Sequence, residues 1–464
     1  MRKTYLVFLI IILLTPIHVQ PALAQAGEPV YIIQAGDTFY SIAARFNVSL
    51  DDLIAANPDV DPSNLAIGQE IVIPNLRGIT GVLETEVVGF GDSLRSLIRR
   101  TQVPYDNLRK LNRLISPSEL YVGVSLILPV QEGQQTLSAR ITPTAGESLF
   151  ELAIKQGSDP WTLSSLNKLS GTWSALPGDV LYTPAEGNGE NATGLPSAFL
   201  SASISPLPMV QGSTEVIRIK TRDNIAASAT LIDRPLNFFP LEDEQVALEG
   251  VHAMLEPGVY PLRIEAALPN SEKQSFEQMV VVVSGAYLHE EIPLNDSSTL
   301  DPAVTEPELR NLEAITTPAT PTKYWNGIFS SPAVDSNCFT SRFGTRRTYT
   351  VLNSDIEIEG FHSGLDFCGG EGLQIFAPAP GRVVFAAPLT VRGNATIIDH
   401  GWGVYSGIWH QSEILVNVGD IVTQGQVVGL VGATGRVTGA HQHWEVWVNG
   451  VQVNPLNWLE QAYP

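Results

Sequence analysis

A motif of glycine, an acidic residue and a hydroxylated residue occurs three times near the start of the chain, beginning at Gly36, Gly91 and Gly146. The copies stand 55 residues apart. Three more landmarks keep the same register in every copy: an asparagine 21 residues after the glycine, a second glycine 32 residues after it and a proline 38 residues after it. Landmarks held in register through three copies indicate one structural module used three times. The N-terminal part of the chain is therefore predicted to be an array of small, similar domains.

Each copy has the pattern strand, helix, helix, strand. In the first copy, residues 30–33 have the composition of a strand, and Asp37 or Thr38 can cap a helix. Residues 48–50 begin a second helix, and residues 70–74 close the copy as a strand. This βααβ pattern resembles the lysin motif, or LysM, and the resemblance extends over residues 30–74, 82–129 and 137–184. It is weaker in the second and third copies.

The LysM resemblance implies a binding partner, because this family binds glycan chains that contain N-acetylglucosamine. It implies that the contact surface lies in the loop after the first strand and in the loop before the last one. The candidate glycan-binding residues are Gly36, Asp37, Thr38, Leu65 and Gly68. Two alternatives stay open: the second and third copies could be degenerate spacers, and the recurring glycines and asparagines could serve only as turns and caps.

The middle of the chain has a different pattern. A polar linker over residues 186–195 is followed by alternating apolar and polar residues over 196–292, with turn signals between them. About seven short strands of this kind predict an all-β immunoglobulin-like sandwich. Its lone histidines, His252 and His289, are expected to be structural or on the surface. Residues 293–323 are rich in Pro, Thr, Asp and Glu and predict a linker with one helix over residues 306–315.

Five of the eight histidines lie between residues 362 and 443. His362 and Asp366 are four positions apart, and His441 and His443 are two apart, so each pair would share one face of a strand. A helix would turn His441 and His443 onto diverging faces, so the pair favours β-structure. Zinc requires ligands that converge on one face, and the grouping therefore indicates metal-assisted hydrolysis.

Short strands and glycine turns continue to the end of the chain, which predicts a mostly antiparallel β-domain over residues 324–464. Motifs in this domain together resemble the lysostaphin-type zinc endopeptidases: His362-x-Gly364-x-Asp366, Gly432-x-Thr434-Gly435, Gly439-x-His441-x-His443-x-Glu445 and Asn454-Pro455. The resemblance implies a grooved domain that cleaves peptide crosslinks of peptidoglycan. It also implies one Zn²⁺ per chain, held by His362, Asp366 and His443.

By the same resemblance, His441 is the catalytic histidine and His410 is the second active-site histidine. The spacing from Tyr405 to His410 is longer than the usual Tyr-x-His of the family. His400 matches a family histidine that is not a ligand and is predicted to be structural. Because the chain has no His-Glu-x-x-His motif, His441 and His410 are the candidates for proton transfer and for holding the oxyanion. Glu445 could orient a zinc-binding residue by contacting the side that faces away from the metal. Alternatively, it could serve only in packing or at the surface.

The first 24 residues have the features of an export signal, with Arg2-Lys3 before an apolar run and Ala22-Leu23-Ala24 after it. The run is too short to span a bilayer, so no stable membrane span is expected after signal removal. In an exported protein the only two cysteines, Cys338 and Cys368, predict a disulfide; free thiols near the zinc are the alternative. A net charge of −21 argues against binding nucleic acid.

These features predict a multidomain exported protein, located in the cell wall, the periplasm or the extracellular space. The predicted function is a zinc-dependent endopeptidase that acts on crosslinks or stem peptides of peptidoglycan and is targeted to glycan by the LysM repeats. One alternative is a non-catalytic cell-wall-binding activator of other wall hydrolases, and another is cleavage of a different protein or peptide. A monomer is expected, because no long interface-like stripe occurs.

Overall fold

The computed structural model describes residues 27–464 except 115, 117–118, 131–136, 185–193, 270–271, 295–297, 353–354 and 356. The predicted signal, residues 1–24, lies outside the described residues. The chain divides into two compact units: the smaller holds the first repeat with part of the second, and the larger holds the rest. None of the helices in the described ranges combines the length and hydropathy that crossing a membrane requires.

All three repeats have the predicted order of strand, helix, helix, strand. Their elements are β1 (Val30–Ile32), α1 (Phe39–Phe46), α2 (Leu50–Ala56), β2 (Glu70–Val72), β3 (Val82–Val87), α3 (Leu94–Thr101), α4 (Tyr105–Asn112), β4 (Ser125–Val130), β5 (Arg140–Ile141), α5 (Leu149–Lys155), α6 (Pro160–Leu166) and β6 (Leu181–Tyr182). In the smaller unit, β1 pairs antiparallel with β2 and parallel with β3. The apolar faces of α1 and α2 pack on this sheet through residues such as Ile42 and Leu53, which are fully buried.

The recurring residues of the repeats are explained by local geometry. The six recurring glycines all have φ between +81° and +89°, a left-handed conformation that glycine adopts without steric cost. The hydroxylated residue of each motif caps the first helix of its repeat. Asn57 donates to the carbonyls of Leu53 and Val72 and accepts from the N–H of Val72. The corresponding asparagines of the other two repeats make the same three bonds. Each one therefore ties a helix end to the closing strand.

The middle region consists of two sheets that share one apolar core. Its strands are β7 (Phe199–Ser205), β8 (Met209–Val210), β9 (Thr214–Thr221), β10 (Ala227–Leu231), β11 (Arg234–Pro235), β12 (Phe239–Leu241), β13 (Glu244–Gly250), β14 (Gly258–Ala267) and β15 (Lys273–Val283). The sheet orders are β11-β10-β14-β15-β8 and β12-β13-β9-β7. The predicted all-β character is present, and the immunoglobulin-like assignment stays a prediction.

The C-terminal region is built almost entirely of strands. Its elements are β16 (His289–Leu294), α7 (Pro302–Thr316), β17 (Phe339–Ser341), β18 (Arg346–Val351), β19 (Glu357–Phe361), β20 (Leu365–Phe367), β21 (Gln374–Phe376), β22 (Gly381–Leu389), β23 (Gly393–Gly401), β24 (Val404–Gln411), β25 (Glu413–Ile414), β26 (Ile421–Val422), β27 (Val427–Leu430), β28 (Gln442–Val448), β29 (Val451–Val453) and α8 (Pro455–Glu460). The main sheet runs β17-β20-β28-β24-β23-β22-β26, with β29 beside β28. Its antiparallel strands form the floor on which the histidine motifs meet.

Two described parts of the segment predicted to be a linker, residues 293–294 and 302–316, pack against the C-terminal region. β16 pairs in parallel with β18 along its whole length, from His289 opposite Arg346 to Leu294 opposite Val351. In α7, Leu312 is fully buried against Trp409 and Trp447. The helix predicted over residues 306–315 is present, but it is part of a folded body rather than of an exposed connector.

The middle and C-terminal regions also share a core. Phe239, Val246 and Leu248 of the middle region join the same apolar cluster as Trp402 and Val446. Beside this cluster, Nδ2 of Asn449 donates to the Leu248 carbonyl at 2.7 Å and to Oε2 of Glu249 at 3.0 Å. Burial of this shared apolar surface stabilises the packing of the two regions against each other.

Candidate metal centre

Strand pairing brings the histidine motifs together. β20 and β28 are antiparallel partners, with Asp366 directly opposite His443. On its other edge β28 pairs with β24, which places Trp409 opposite His443. His362 lies in the turn just before β20 rather than on the same strand as Asp366, which corrects the predicted single strand. His441 sits immediately before β28, in a bridge with Gly432. The turn and the strand still aim the two side chains of each motif at one point.

Three buried side chains converge at that point. Nε2 of His362 lies 3.1 Å from Oδ2 of Asp366 and 3.3 Å from Nδ1 of His443. Nδ1 of His443 lies 2.8 Å from Oδ1 of Asp366. One nitrogen or oxygen from each residue lies within 4.8 Å of the others, as a shared metal ion requires. Two imidazoles and a carboxylate are a donor set that suits zinc.

The far nitrogen of each of these imidazoles faces an oxygen acceptor. Nδ1 of His362 donates to the carbonyl of Arg342 at 2.9 Å. Nε2 of His443 lies 3.4 Å from Oε1 of Glu445. In a neutral imidazole, an acceptor that faces the far nitrogen selects the tautomer whose other nitrogen presents a lone pair. Both imidazoles are therefore oriented with that nitrogen toward Asp366.

The two histidines predicted to act in catalysis flank this centre. His441 is partly exposed, its Nδ1 donates to the Gly439 carbonyl at 2.9 Å, and its Nε2 lies 3.4 Å from Oδ1 of Asp366. Nδ1 of His410 donates to the Thr434 carbonyl at 2.8 Å, and the two imidazole rings are 5.4 Å apart. In both residues this hydrogen bond places the proton of the neutral ring on Nδ1, so Nε2 presents a lone pair.

The unusual spacing before His410 has a structural explanation. Positions five apart on a regular strand face opposite sides, so Tyr405 and His410 would diverge. The register between β23 and β24 shifts by one residue near Trp409, and His410 has φ of +60°. This bulge turns the His410 side chain toward the centre. Its backbone N–H is held by the carbonyl of Arg392 at 2.9 Å.

Glu445 lies behind His443 and is only 1% exposed, which excludes the surface role that the sequence left open. Its Oε1 accepts from the Ser363 hydroxyl at 2.6 Å. Its Oε2 accepts from Trp447 Nε1 at 2.8 Å and from Gln452 Nε2 at 3.1 Å. Burial raises the pKa of Glu445, but Arg392 and His443 outweigh that effect and hold the pKa far below its usual range. The residue is therefore a carboxylate that faces His443.

Charge interactions set the protonation states at the centre. Burial raises the pKa of Asp366, but His443 and His362 outweigh it and hold the pKa well below the usual range. Burial lowers the pKa of His443, but Asp366 and Glu445 outweigh it and raise the pKa to about 9. Burial and the neighbouring His443 lower the pKa of His410 to about 3. His410 is therefore a neutral imidazole at ordinary pH.

The other predicted residues lie outside this centre. His400 is fully buried, with Nδ1 2.8 Å from the Pro380 carbonyl and Nε2 2.9 Å from the Ser406 hydroxyl, which agrees with a structural role. Cys338 and Cys368 are joined by a disulfide, and the N–H of Cys368 donates to the carbonyl of Cys338. The bond ties the segment before β17 to the end of β20, the strand that carries Asp366.

The candidate glycan-binding residues lie in two neighbouring loops, because the N–H of Gly68 donates to the carbonyl of Ile33, the residue just after β1. The Asp37 carboxylate is already bonded, to the Tyr31 hydroxyl and to the Gln34 N–H, each at 2.8 Å. Thr38 caps α1. Because both side chains are already engaged in local hydrogen bonds, a ligand at these loops would contact backbone groups and exposed neighbouring residues. Gly36 and Gly68 are exposed, and Leu65 is half-buried.

Sequence reasoning missed several residues of the cleft around the centre. Ile292 and Leu294 of β16 line it, together with Arg347, Arg392 and Arg436. Ile292 is the last residue of the predicted sandwich and Leu294 belongs to the predicted linker, and no motif signals either residue. Arg392 stands directly before Gly393, which has a positive φ and marks a turn. This neighbouring glycine was the only signal of Arg392 in the sequence.

The chain is similar to known families in two regions. Residues 360–455 match the model of peptidase family M23, and residues 31–74, 87–129 and 144–184 match the LysM domain. Both family resemblances predicted from the sequence are confirmed by these matches. The predicted order of helix-and-sheet repeats followed by a mostly β domain is confirmed as well.

Individual relatives are similar over the C-terminal part. Peptidoglycan DD-endopeptidase ShyA of Vibrio cholerae serotype O1 is 36% identical over 129 residues, which is 28% of this chain and 29% of that protein. DD-carboxypeptidase/endopeptidase Mpg of Neisseria meningitidis serogroup B is 38% identical over 96 residues, or 21% of this chain and 22% of that protein. The chain thus spans less than a third of either relative. The solved structure of lysostaphin from Staphylococcus simulans covers 21% of this chain and 44% of its own, at 30% identity and a TM-score of 0.21.

Proposed function

We propose that this chain, which carries three LysM domains and a peptidase family M23 domain, is a zinc-dependent endopeptidase that hydrolyses peptide bonds in peptidoglycan crosslinks or stem peptides. The observation that carries the proposal is the convergence of His362, Asp366 and His443, with His441 and His410 beside them. Catalytic zinc sites use three protein ligands and keep a fourth coordination position open, whereas structural zinc sites have four protein ligands.

The donor groups fit zinc in two further respects. The far nitrogens of His362 and His443 face a carbonyl and a carboxylate, which is the usual support of metal-bound histidine. Oδ1 of Asp366 is buried and forms no well-aligned hydrogen bond among the described residues, although Nδ1 of His443 lies 2.8 Å away, so a cation between the two atoms would be held by both. When bound, zinc polarises the scissile carbonyl and lowers the pKa of a coordinated water.

The flanking histidines would carry the proton transfers. Nε2 of His441 lies near Asp366 and is free to accept a proton from the attacking water, because Nδ1 is committed to Gly439. His410 is neutral and can hold the developing oxyanion only as a hydrogen-bond donor. Its Nδ1–H is committed to Thr434, so this role requires the protonated ring or a tautomer change in the complex. We therefore assign proton transfer to His441 and an orienting role to His410.

The repeats would localise the enzyme. We infer that the adjoining loops near Gly36 and Gly68 contact N-acetylglucosamine-containing glycan, which would keep the peptidase near its peptide substrate and raise its effective concentration there. Action at the cell wall or in the periplasm, after export, follows from this substrate. The names of the M23 relatives, a DD-endopeptidase and a DD-carboxypeptidase/endopeptidase, support a bond in the peptide part of peptidoglycan.

The decisive experiment is digestion of purified peptidoglycan by the mature protein, with and without a chelator, followed by mass spectrometry of the released fragments. Release of new amino termini that stops with chelator and resumes with added Zn²⁺ is the expected result. Catalytically inert protein that holds zinc and still binds walls of several crosslink types would instead identify a non-catalytic activator of other hydrolases. A His443→Ala variant is the control for contaminating activity.

A further inference from the structure

The carboxylate of Glu308 is buried although it belongs to α7, the helix of the predicted linker. Its side chain is 6% exposed. It accepts from the N–H of Val391 at 2.8 Å and from the N–H of Arg392 at 3.2 Å, and it pairs with the Arg392 guanidinium at 3.2 Å. A buried carboxylate that satisfies two backbone N–H groups and one cation is an anchor for the turn between β22 and β23.

The residue anchored by Glu308 touches the supports of two active-site histidines. A second guanidinium nitrogen of Arg392 lies 3.6 Å from Oε1 of Glu445, the carboxylate behind His443. The carbonyl of Arg392 accepts the N–H of His410 at 2.9 Å. The guanidinium also lies over the Trp409 ring, 5.5 Å from its centre. Arg392 therefore reaches His443 through Glu445 and reaches His410 through its backbone.

We propose that Glu308 is a positioning residue of the peptidase site, which sets the orientation of His443 and His410 through Arg392. The proposal rests on the proposed function for its catalytic consequence only. One guanidinium between two carboxylates is held midway, because each acid attracts it. Without the charge of Glu308, Arg392 would move toward Glu445 and compete with His443 for Oε1. The turn that fixes His410 would lose its anchor at the same time.

The test compares Glu308→Gln with Glu306→Gln, a matched change on the same helix. Glu306 is 62% exposed and pairs only with Arg310 one turn away among the contacts of the described chain. The readout that does not depend on catalysis is the imidazole ¹⁵N chemical shifts of His443 and His410 in zinc-free, ¹⁵N-histidine-labelled protein. Glu308→Gln should move both sets of shifts, and Glu306→Gln should leave them unchanged.

In the zinc enzyme, Glu308→Gln should lower kcat by about 5- to 50-fold while KM changes less than about twofold, because remote support of a ligand typically contributes 10- to 100-fold. Arg392→Lys keeps the positive charge but cannot bridge two carboxylates in the same way, and it should give the same pattern. A thermal unfolding scan accompanies each variant. If Glu308→Gln does not fold, Arg392→Lys carries the test.

Unchanged imidazole shifts and unchanged kcat in a folded Glu308→Gln or Arg392→Lys variant would overturn the inference. If Glu308→Gln moves the imidazole shifts but the wild-type protein shows no turnover on any wall, the positioning role is upheld and the proposed function is rejected. The two failures are therefore distinguishable.

Discussion

Oδ1 of Asp366 lies 2.8 Å from Nδ1 of His443, and the two residues are direct partners across the antiparallel strands β20 and β28. This relationship is set by strand register, because opposite residues on one face of an antiparallel pair are the closest side chains in a sheet. A slip of one residue would send His443 to the other face and separate the two donors. The candidate metal site is thus a property of the sheet rather than of either motif alone.

Substitution of the two histidines of the His-x-His motif should separate metal binding from turnover. His443→Ala removes a converging ligand and should abolish both zinc binding and activity. His441→Ala leaves the three converging residues in place, so zinc content should stay at one per chain while kcat falls by about 10²- to 10⁴-fold. Metal analysis and turnover on peptidoglycan fragments measure the two effects. A His441→Ala enzyme with full rate would refute the assignment of proton transfer.

The disulfide should contribute to stability rather than to chemistry. Cys338 and Cys368 are separated by 30 residues, and closing a loop of this size stabilises a domain by about 3 kcal/mol. The double variant Cys338→Ala/Cys368→Ala should therefore unfold at lower urea concentration and retain turnover at 25 °C. Reductant should lower the wild-type midpoint and have no effect on the variant. Equal midpoints for the wild type with and without reductant would contradict the prediction.

Stability should fall with rising pH because of Glu215. This residue is fully buried in β9, opposite Glu249 of β13, and burial raises its pKa to about 8 from the ordinary value of 4.5. The folded state therefore binds a proton that the unfolded state has lost, and stability declines between about pH 4.5 and pH 8 and then levels off. Glu215→Gln should remove the part of this decline that belongs to Glu215, raising stability at pH 8 by roughly several kcal/mol and little at pH 4. A remainder of the same sign is expected from Glu249, because burial raises its pKa to about 7.

Thermal unfolding scans from pH 4 to pH 9 measure this dependence. Glu256→Gln, an exposed substitution in the same region, is the control and should follow the wild-type curve. A Glu215→Gln protein whose pH dependence matches that of the wild type would show that Glu215 titrates normally.

The repeat asparagines should be essential to the fold of their modules. Asn57→Ala removes three hydrogen bonds and leaves the N–H of Val72 and two carbonyls without that partner. The expected cost is about 2 to 3 kcal/mol in the first repeat. Hydrogen exchange of the Val72 amide should accelerate by at least tenfold. Asn64→Ala, at an exposed position before the last strand, should leave that rate unchanged; acceleration there would point to general loosening of the loop.

Local pattern was sufficient to predict much of this protein. The glycines, asparagines and hydroxylated residues of the repeats act within a few residues of themselves or on a strand of the same module, so their spacing alone predicts the βααβ order. The pairs His362–Asp366 and His441–His443 are likewise short motifs whose convergence was predicted, although His362 lies in a turn and not on the strand of Asp366. Features that depend on nearby residues can be predicted because they require regular spacing of those residues in the sequence.

The features that only the tertiary structure decided are contacts between groups that are distant in sequence. The side chain of His410 depends on a bulge against β23, and the packing of α7 depends on Trp409 and Trp447. Glu308 and Glu445 meet through Arg392 although they stand more than a hundred positions apart. Such contacts arise when a buried charge or an apolar face must find a partner anywhere on the folded surface. Their positions have no period, and for that physical reason the sequence could predict the candidate metal ligands but not the network that orients them.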